Sequence, residues 1–364
     1  MSNKITYLIG AGASANAIPV VEKFNDSVLN FIEIIKNYKI EYSRYGSFNA
    51  SIHFTKGQLR DIFVEDSKSI IDKISSGHTT VDNYARMLYL TKEYPELRKL
   101  KSLLQFYLLW KQFEIPYDKR YDLFLASIFN LGKYTNELTL PGSIQIISWN
   151  YDIQFEIAAN NYYKVDLISY IQDSLNSSSI INSLKKANQN ELFSITRLNG
   201  NCIGWYKEEI PQTYNIQLNI YKNNKTLLIE DMLAYYHWLG IMQNEQKAGI
   251  DYAWENNDHA RKIREIASSK AEKTEVLVII GYSFPTFNRS IDRALISKMK
   301  NLKKVYIQTM KPSISEVTNR FESLANINNN KRNTDGMIED VEVKTIEMFT
   351  GTEEFYIPFE YIGE

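Results

Sequence analysis

Four short motifs of small and polar residues could bind a ligand or act on it. They are Gly10-Ala11-Gly12-Ala13-Ser14-Ala15, Ser148-Trp149-Asn150-Tyr151-Asp152, Arg197-Leu198-Asn199-Gly200-Asn201 and Gly281-Tyr282-Ser283-Phe284-Pro285. Each motif follows a short β-branched run of the kind that forms a buried parallel strand. Polar groups at the carboxyl ends of parallel strands face the ligand crevice of an open α/β sheet. We therefore expect the four motifs to meet at one site.

The first motif has the form of a phosphate-binding turn. Gly10 and Gly12 permit close approach of the backbone to a pyrophosphate, and the following helix would present its N-terminus to the same group. Pro19 lies near the first turn of that helix, where its missing N–H costs nothing. A dehydrogenase would carry an acidic residue at the end of a second strand about 20 residues further on. Glu33 has this spacing but lies in a helical pattern, which disfavours hydride transfer. The alternative is a glycine-rich turn that binds nothing.

The other motifs carry side chains suited to sugars and amides. Asn150 and Asp152 are two residues apart, so they point the same way while the chain stays extended, and they could hold a carboxamide and a ribose hydroxyl. The alternative for this pair is a helix cap or an Asx-turn. Gly281 lets the backbone come close to a ligand, and Ser283, followed by Asn288, can donate to a phosphate or ribose oxygen.

The composition is that of an ordinary globular chain. Its 364 residues are 44% hydrophobic and 23% charged with a formal net charge of −1, which gives no electrostatic argument for binding nucleic acid. A single cysteine, Cys202, excludes a disulfide framework and a cysteine-only zinc site. No apolar run approaches the roughly 18 residues of a membrane helix, and the first residues lack a signal-peptide pattern. We expect a cytoplasmic protein without a membrane or direct nucleic-acid partner.

Six short runs rich in Ile and Val predict the strands that must position these motifs. They are Lys4–Ile9, Ser143–Trp149, Phe193–Leu198, Val276–Ile280, Lys304–Gln308 and Val341–Ile346. Helical patterns follow several of them, so we predict a Rossmann-like, doubly wound α/β fold with a mainly parallel six-stranded sheet. Two stretches, about 40–135 and 210–270, show helical spacing with few strand signals. We predict a single domain over 1–364 in which mostly helical insertions interrupt the sheet.

Read in chain order, GAGAS followed by IP, then WNYD, LNG and GYS, resemble the motifs of the sirtuin (silent information regulator) family. They look most like its bacterial antiviral branch of NAD-cleaving enzymes. The resemblance implies NAD as the substrate, with Asn150, Asp152 and Asn199 as the catalytic residues. The residues that it implies for NAD binding are Gly10, Ala11, Gly12, Ser14, Pro19, Gly281, Ser283, Asn288 and Gln308. Gly10, Gly12 and Ser14 would hold the pyrophosphate, and Gln308 would lie near the adenine.

Two departures from the family narrow the reaction. The resemblance places a histidine general base where this chain has Asn199, and an asparagine cannot take a proton near pH 7. Deacylating sirtuins carry a zinc ribbon of two C-x-x-C pairs, which a chain with one cysteine lacks, so we do not expect protein deacylation. Cleavage of NAD⁺ depends less on a general base than deacylation does, because nicotinamide leaves as a neutral group and positioning can supply much of the rate acceleration. Asn199 could orient a ribose hydroxyl or water, and Asp152 could stabilise the cation.

The leading hypothesis is an NAD⁺ glycohydrolase that acts in antiphage defence by depleting NAD⁺, a role implied by the resemblance alone. The alternative is a catalytically weak NAD- or ADP-ribose-binding sensor, or a scaffold subunit of a defence complex with a HerA-like ATPase. A homo-oligomer is expected, because activity must be held back until assembly. The histidines His53, His78, His237 and His259 lack metal-ligand spacing, so no metal is predicted. His78 precedes Thr79-Thr80-Val81-Asp82-Asn83, which resembles a family segment that begins a helix beside the pocket.

Overall fold

The Ile- and Val-rich runs form one parallel sheet. The structure, a computed structural model, describes residues 4–19, 21–39, 56–77, 80–114, 117–132, 138–163, 177–178, 192–207, 228–233, 236, 246–325 and 345–361. Its strands are β1 (Ile5–Ile9), β2 (Asn130–Leu131), β3 (Leu138–Thr139), β4 (Ile144–Ser148), β5 (Ser177–Ser178), β6 (Ser194–Arg197), β7 (Gly200–Lys207), β8 (Gln246–Ile250), β9 (Val276–Ile280), β10 (Lys304–Gln308) and β11 (Thr345–Phe349). The main sheet has the order β11-β10-β9-β1-β4-β6-β5, and all its described pairings are parallel.

The order of the strands makes the sheet doubly wound. From β1 the chain proceeds to β4 and β6 on one side, then returns to build β9, β10 and β11 on the other side. The predicted Rossmann-like α/β fold is therefore confirmed, and the two-residue β5 extends the six predicted strands at one edge. The last predicted strand begins at Thr345, and positions 341–344 lie outside the described residues.

The register aligns the carboxyl ends of five neighbouring strands. Ile9 of β1 lies beside Ser148 of β4 and Ile280 of β9, and the same row continues to Arg197 of β6 and Gln308 of β10. The residues that follow this row leave the sheet at a common edge. The four polar motifs consequently start side by side, although they are up to about 270 positions apart in sequence.

Helices cover both faces of the sheet. The helices are α1 (Val21–Asn37), α2 (Lys56–Gly77), α3 (Val81–Leu90), α4 (Tyr94–Glu114), α5 (Lys119–Ile128), α6 (Gln154–Tyr163), α7 (Asp258–Ala271), α8 (Arg289–Lys298) and α9 (Ile314–Ala325). Helices α5 and α6 and the segment 355–361 pack on the face that carries Tyr7 and Tyr306. Helices α7, α8 and α9 pack on the face that carries Leu8 and Ile279. Burial on both faces explains why the central strands β1 and β9 are apolar at almost every position.

A helical body formed by α1 to α4 packs as a separate hydrophobic cluster. Helix α4 runs through its centre and is buried on nearly all sides from Leu97 to Phe113, as expected of a helix without a polar face. The antiparallel pair β7–β8 packs against α4, and Ile153 and Tyr252 connect the body to the loops at the carboxyl edge of the sheet. This body therefore stands over the edge where the four motifs meet.

The two stretches with helical spacing have different locations in the fold. The stretch 40–135 contains α2 to α5, of which α2 to α4 belong to the helical body. The stretch 210–270 contains helical residues 228–233, then β8 and α7. Helix α7 differs from the predicted insertion, because its apolar stripe of Ile263, Ala267 and Ala271 is buried on the sheet. Among the described residues, no helix has the length and apolarity needed to span a membrane.

Candidate functional site

The glycines of the first and fourth motifs touch each other. The amide N–H of Gly12 donates to the carbonyl of Gly281 at 2.9 Å, and that of Gly10 donates to Ile280 at 3.0 Å. A Cβ on Gly12 would lie 2.8 Å from the Cα of Gly281. Gly281 itself has a φ of +59°, and a Cβ there would lie 2.3 Å from the nitrogen of Ala13. The close packing of the two loops alone therefore explains why glycine is needed at these positions. We call this contact the glycine junction.

Three of the predicted site residues form one buried hydrogen-bonded group. The hydroxyl of Ser14 donates to Oδ2 of Asp152 at 2.7 Å, and Nδ2 of Asn150 donates to Ser14 Oγ at 3.2 Å. The Tyr121 hydroxyl lies 2.7 Å from Ser14 Oγ, and it must be the donor because Ser14 has given its single proton to Asp152. We call Ser14, Tyr121, Asn150 and Asp152 the Ser14 cluster. All four side chains are buried at the carboxyl ends of β1 and β4.

The carboxyl group of Asp152 is held from both sides. Burial raises its pKa, while the hydrogen bond from Ser14 and the charge of Arg197 oppose that rise. The backbone N–H of Gln154 donates to its Oδ1 at 3.2 Å, as in an Asx-turn before α6. Arg197 donates to the Asp152 carbonyl at 3.1 Å and makes a buried bidentate ion pair with Glu156 at 2.7 and 2.8 Å. Arg197 therefore fixes the loop that carries Asp152.

Asn199 lies in a second group beside the Ser14 cluster. Its Oδ1 accepts from the N–H of Ala253 at 2.9 Å, and its Nδ2 donates to the Trp149 carbonyl and to the Tyr151 hydroxyl, each at 3.3 Å. The Tyr151 hydroxyl in turn donates to Oδ1 of Asp82 at 3.3 Å. We call Asn199, Tyr151 and Asp82, with the backbone of Trp149 and Ala253, the Asn199 cluster. Every polar atom of the Asn199 amide thus already contacts protein.

The segment 251–257 connects the Asn199 cluster to the helical body. The N–H of Asp251 donates to the Asn199 carbonyl at 2.9 Å. Lys101 of α4 places its Nζ 2.5 Å from Oε1 of Glu255 and 3.3 Å from Oδ1 of Asp251, with all three side chains buried. Burial alone would lower the pKa of Lys101, but the two carboxylates raise it overall. The ammonium group therefore stays charged and holds the segment against α4.

The remaining predicted binding residues lie apart from these two clusters. Ser283 is exposed, and its carbonyl accepts from Arg320 at 2.7 Å. Asn288 is buried and donates to the Tyr282 hydroxyl at 3.2 Å, which itself donates to Asp292. Ala11 is exposed on the turn, and Pro19 is half-buried ahead of α1. The structure thus places Asn288 in a buried contact behind the edge and leaves Ser283 and Ala11 at the surface.

Gln308 is engaged by the segment that follows β11. Its Nε2 donates to the carbonyls of Gly351 and Glu354 at 2.7 and 2.6 Å, and its Oε1 accepts from the N–H of Tyr356 at 3.0 Å. Its carbonyl also accepts from the N–H of Gly281 at 3.0 Å. The side-chain amide that the resemblance places near adenine is therefore used to hold residues 351–356 against β10.

Sequence patterns did not identify Tyr121, Arg120 or Asp82 as site residues. Arg120 pairs with Asp118 at 2.5 Å and donates to the carbonyl of Ala13 at 3.0 Å, so it supports the turn that carries Ser14. Tyr121 and Arg120 lie on α5 in a helical pattern without any motif, which gave no signal. For Asp82 the sequence does contain a signal, because the family resemblance of the segment from Thr79 predicts a helix that begins beside the pocket. Asp82 lies in the first turn of that helix, α3.

The histidine side chains lie outside the described part of the structure. His53, His78 and His237 lie outside the described residues, and so does the side chain of His259. Within the described ranges, no group of three or more His, Cys, Asp or Glu side chains is arranged to hold a metal ion. Cys202 is buried, and burial raises the pKa of its thiol to about 12, so the thiol stays protonated at neutral pH.

The fold is that of a Rossmann-like α/β protein, and its buried polar clusters lie at the carboxyl ends of β1, β4 and β6. No family model matches this chain, and the comparison with curated proteins found no match. The sirtuin resemblance therefore stays a prediction that depends on the four motifs.

Proposed function

We propose that the protein is an NAD⁺ glycohydrolase that cleaves nicotinamide from NAD⁺ to give ADP-ribose. The observation that carries the proposal is the meeting of Ser14, Asn150 and Asp152 in one hydrogen-bonded cluster beside the glycine junction. In doubly wound sheets, ligands bind at the carboxyl ends of the strands where the winding reverses. Here that point lies between β1 and β9, where the two glycine loops meet.

Hydrolysis of NAD⁺ needs few catalytic groups, and the Ser14 cluster contains suitable ones. The bond between C1′ of the ribose and the nicotinamide nitrogen breaks, and its electron pair leaves with the neutral nicotinamide. Water then adds to C1′ and loses a proton. A carboxylate such as Asp152 would stabilise the positive charge that develops on the sugar, and an amide such as Asn150 would orient the ribose or the water. The exposed turn at Ala11 would lie towards the pyrophosphate.

Direct assay of the reaction tests the proposal. The purified protein is incubated with NAD⁺ over a range of protein concentrations, and nicotinamide and ADP-ribose are quantified by chromatography while light scattering reports the assembly state. We expect both products in equal amounts, with a rate per subunit that rises on assembly. Asn150→Ala should lower the rate by about 10²–10³-fold, whereas Asn301→Ala, which loses only a surface contact to the Glu272 carbonyl, should retain it. Full turnover by a dilute monomer would contradict control by assembly.

A second candidate function is a sensor or scaffold subunit that binds NAD or ADP-ribose without turning it over. It is favoured by the Asn199 amide, which has no basic nitrogen and whose polar atoms already contact protein. Calorimetric binding of NAD⁺ without nicotinamide release would support this function over hydrolysis. The antiphage role and a HerA-like ATPase partner remain proposals from the resemblance. Loss of cellular NAD⁺ during phage infection, and co-purification with such an ATPase, would test them.

A further inference from the structure

Asp82 is delivered to the carboxyl edge of the sheet by the helical body. Helix α3 begins at Val81, and Thr80 caps it by accepting from the N–H of Asn83 at 3.2 Å. Asp82 is in the first turn, half-buried, with its Oδ1 3.3 Å from the Tyr151 hydroxyl. Because Tyr151 lies between Asn150 and Asp152, this contact places a carboxylate from α3 beside the loop that carries these two residues.

The negative charge of this carboxylate acts on tyrosines from three loops. Tyr151 follows β4, Tyr252 follows β8 and Tyr282 follows β9, and the charge of Asp82 acts on all three phenols. The only basic side chain on the neighbouring turn of α3, Arg86, has its guanidinium 4.9 Å from the centre of the Trp254 ring. Burial raises the pKa of Asp82 to about 6, and the hydrogen bond from Tyr151 opposes that rise.

A chain of hydrogen bonds leads from Asn199 to Asp82. Nδ2 of Asn199 donates to the Tyr151 hydroxyl, and this hydroxyl donates its own proton to Asp82. The direction is fixed, because a phenol has one proton and Asp82 as a carboxylate can only accept. Asn199 and Tyr151 therefore orient the Asp82 carboxylate. Neither of the two could itself accept a proton in place of Asp82.

Asp152 and Asp292, two other carboxyl groups near this edge, are less suited to accept a proton from water. Asp152 is buried and already accepts from Ser14 and from the N–H of Gln154. Asp292 is buried beneath Tyr282, which donates to both of its oxygens. Asp82 is more exposed than either of them.

Resting on the proposed function, we propose that Asp82 is the general base of NAD⁺ hydrolysis, and that Tyr151 and Asn199 are its positioning residues. The water oxygen forms a bond to C1′, the bond from C1′ to the nicotinamide nitrogen breaks, and its electron pair leaves with nicotinamide. The proton lost by the water passes to Asp82 and then to solvent. The base is thus supplied by the helical body, while the binding groups belong to the sheet.

The test is the pH dependence of nicotinamide release by the full-length protein and its Asp82→Asn and Asp82→Glu variants. We expect the wild-type kcat to fall below pH about 6, because a protonated Asp82 cannot accept a proton. Asp82→Asn should lower kcat by about 10²-fold or more and abolish this acid limb, while Asp82→Glu restores part of both. Calorimetric affinity for NAD⁺ should stay close to wild type. The control is Asp258→Asn, which removes an exposed acidic residue from the first turn of α7.

Tyr151→Phe separates positioning from structural support. Without the hydroxyl that lowers the pKa of Asp82, the acid limb should move to higher pH, a shift that simple destabilisation does not produce. If the wild type releases nicotinamide and Asp82→Asn keeps its rate and pH profile, Asp82 is not the base, although the proposed function stands. If the wild type releases none at any protein concentration, the proposed function fails and this assignment with it.

Discussion

The Ser14 cluster and the Asn199 cluster are adjacent, and each contains an asparagine that follows a strand of the same sheet. Among the described residues, the side chain of Asn150 makes one hydrogen bond, to Ser14, within a group of side chains that bond to each other. Asn199 makes three, and two of them are to the backbone of Trp149 and Ala253. The same residue type therefore has two different tasks. Asn150 belongs to a side-chain group, whereas Asn199 also holds three chain segments together.

The largest effect is expected from Arg197→Met, which removes the support that both clusters share. Arg197 is buried, pairs with Glu156 and donates to the Asp152 carbonyl, and it stands two residues before Asn199. Leaving the Glu156 carboxylate buried without its partner should lower the free energy of unfolding by about 3–5 kcal/mol. Chemical denaturation followed by circular dichroism measures this. Lys298→Met, which breaks an exposed ion pair with Glu272, should change it by less than about 1 kcal/mol.

Asn150→Ala should separate activity from stability. Losing one well-placed hydrogen bond in a preorganised site lowers the rate by about 10²–10³-fold. Removal of the single bond to Ser14 should cost only about 1 kcal/mol of stability. Nicotinamide release and thermal melting are measured on the same preparation. A variant that keeps wild-type turnover would reverse the roles assigned to the two asparagines.

Asn199→Ala should lower stability more, and activity less, than Asn150→Ala does. The N–H of Ala253 would lose its acceptor, so we expect a loss of about 1–3 kcal/mol in the free energy of unfolding. The rate should fall by only about tenfold, because the hydrogen bond that Asn199 makes in the site contributes less to catalysis than that of Asn150. Denaturation midpoints and turnover of the folded fraction are the measurements. Abolished turnover together with unchanged stability would contradict the comparison.

An effect that depends on pH is expected at a third buried group, Tyr282 with Asn288 and Asp292, which belongs to neither cluster. Burial raises the pKa of Asp292 to about 8, well above that of an unfolded chain. The folded state thus holds a proton that the unfolded state releases, so the stability that Asp292 contributes declines as the pH rises from about 4 to 8. Asp292→Asn should raise the melting temperature near pH 8 more than near pH 5. Asp258→Asn, at an exposed position, should show no such trend.

The sheet could be predicted from the sequence because its strands are buried on both faces. Short runs rich in Ile and Val mark β1, β4, β9 and β10 almost to the residue. The parallel arrangement then forces the ends of these strands to one edge, which explains why Ser14, Asn150 and Asp152 could be expected to meet.

Contacts between the sheet and the helical body could not be predicted in the same way. Tyr121 reaches Ser14 from α5 and Asp82 reaches Tyr151 from α3, and neither helix has a register set by the sheet. Helical spacing identifies a buried face, but it does not identify which loop that face will meet. For Gln308 the position at the end of a strand could be predicted, but the hydrogen bonds of its side chain to residues 351–356 could not.

The glycines had two explanations that the sequence could not separate. A turn that approaches a pyrophosphate and a turn that approaches another turn both need residues without a Cβ. The contact of Gly12 with Gly281 shows that the second requirement operates in this chain. It does not remove the first, since the exposed side of the turn at Ala11 remains available to a ligand.

The central place of β1 determines how late the sheet can be completed during synthesis. One neighbour of β1 is β4, but the other is β9, which pairs Val276 with Ile5 about 270 residues later in the chain. At about 5–20 residues per second, the ribosome needs roughly 15–50 s to make that stretch. Throughout this interval one edge of an apolar strand has no partner from the sheet, which is the kind of surface that pairs with other chains. We therefore expect this edge to need cover, from a chaperone or from the helical body, until β9 emerges.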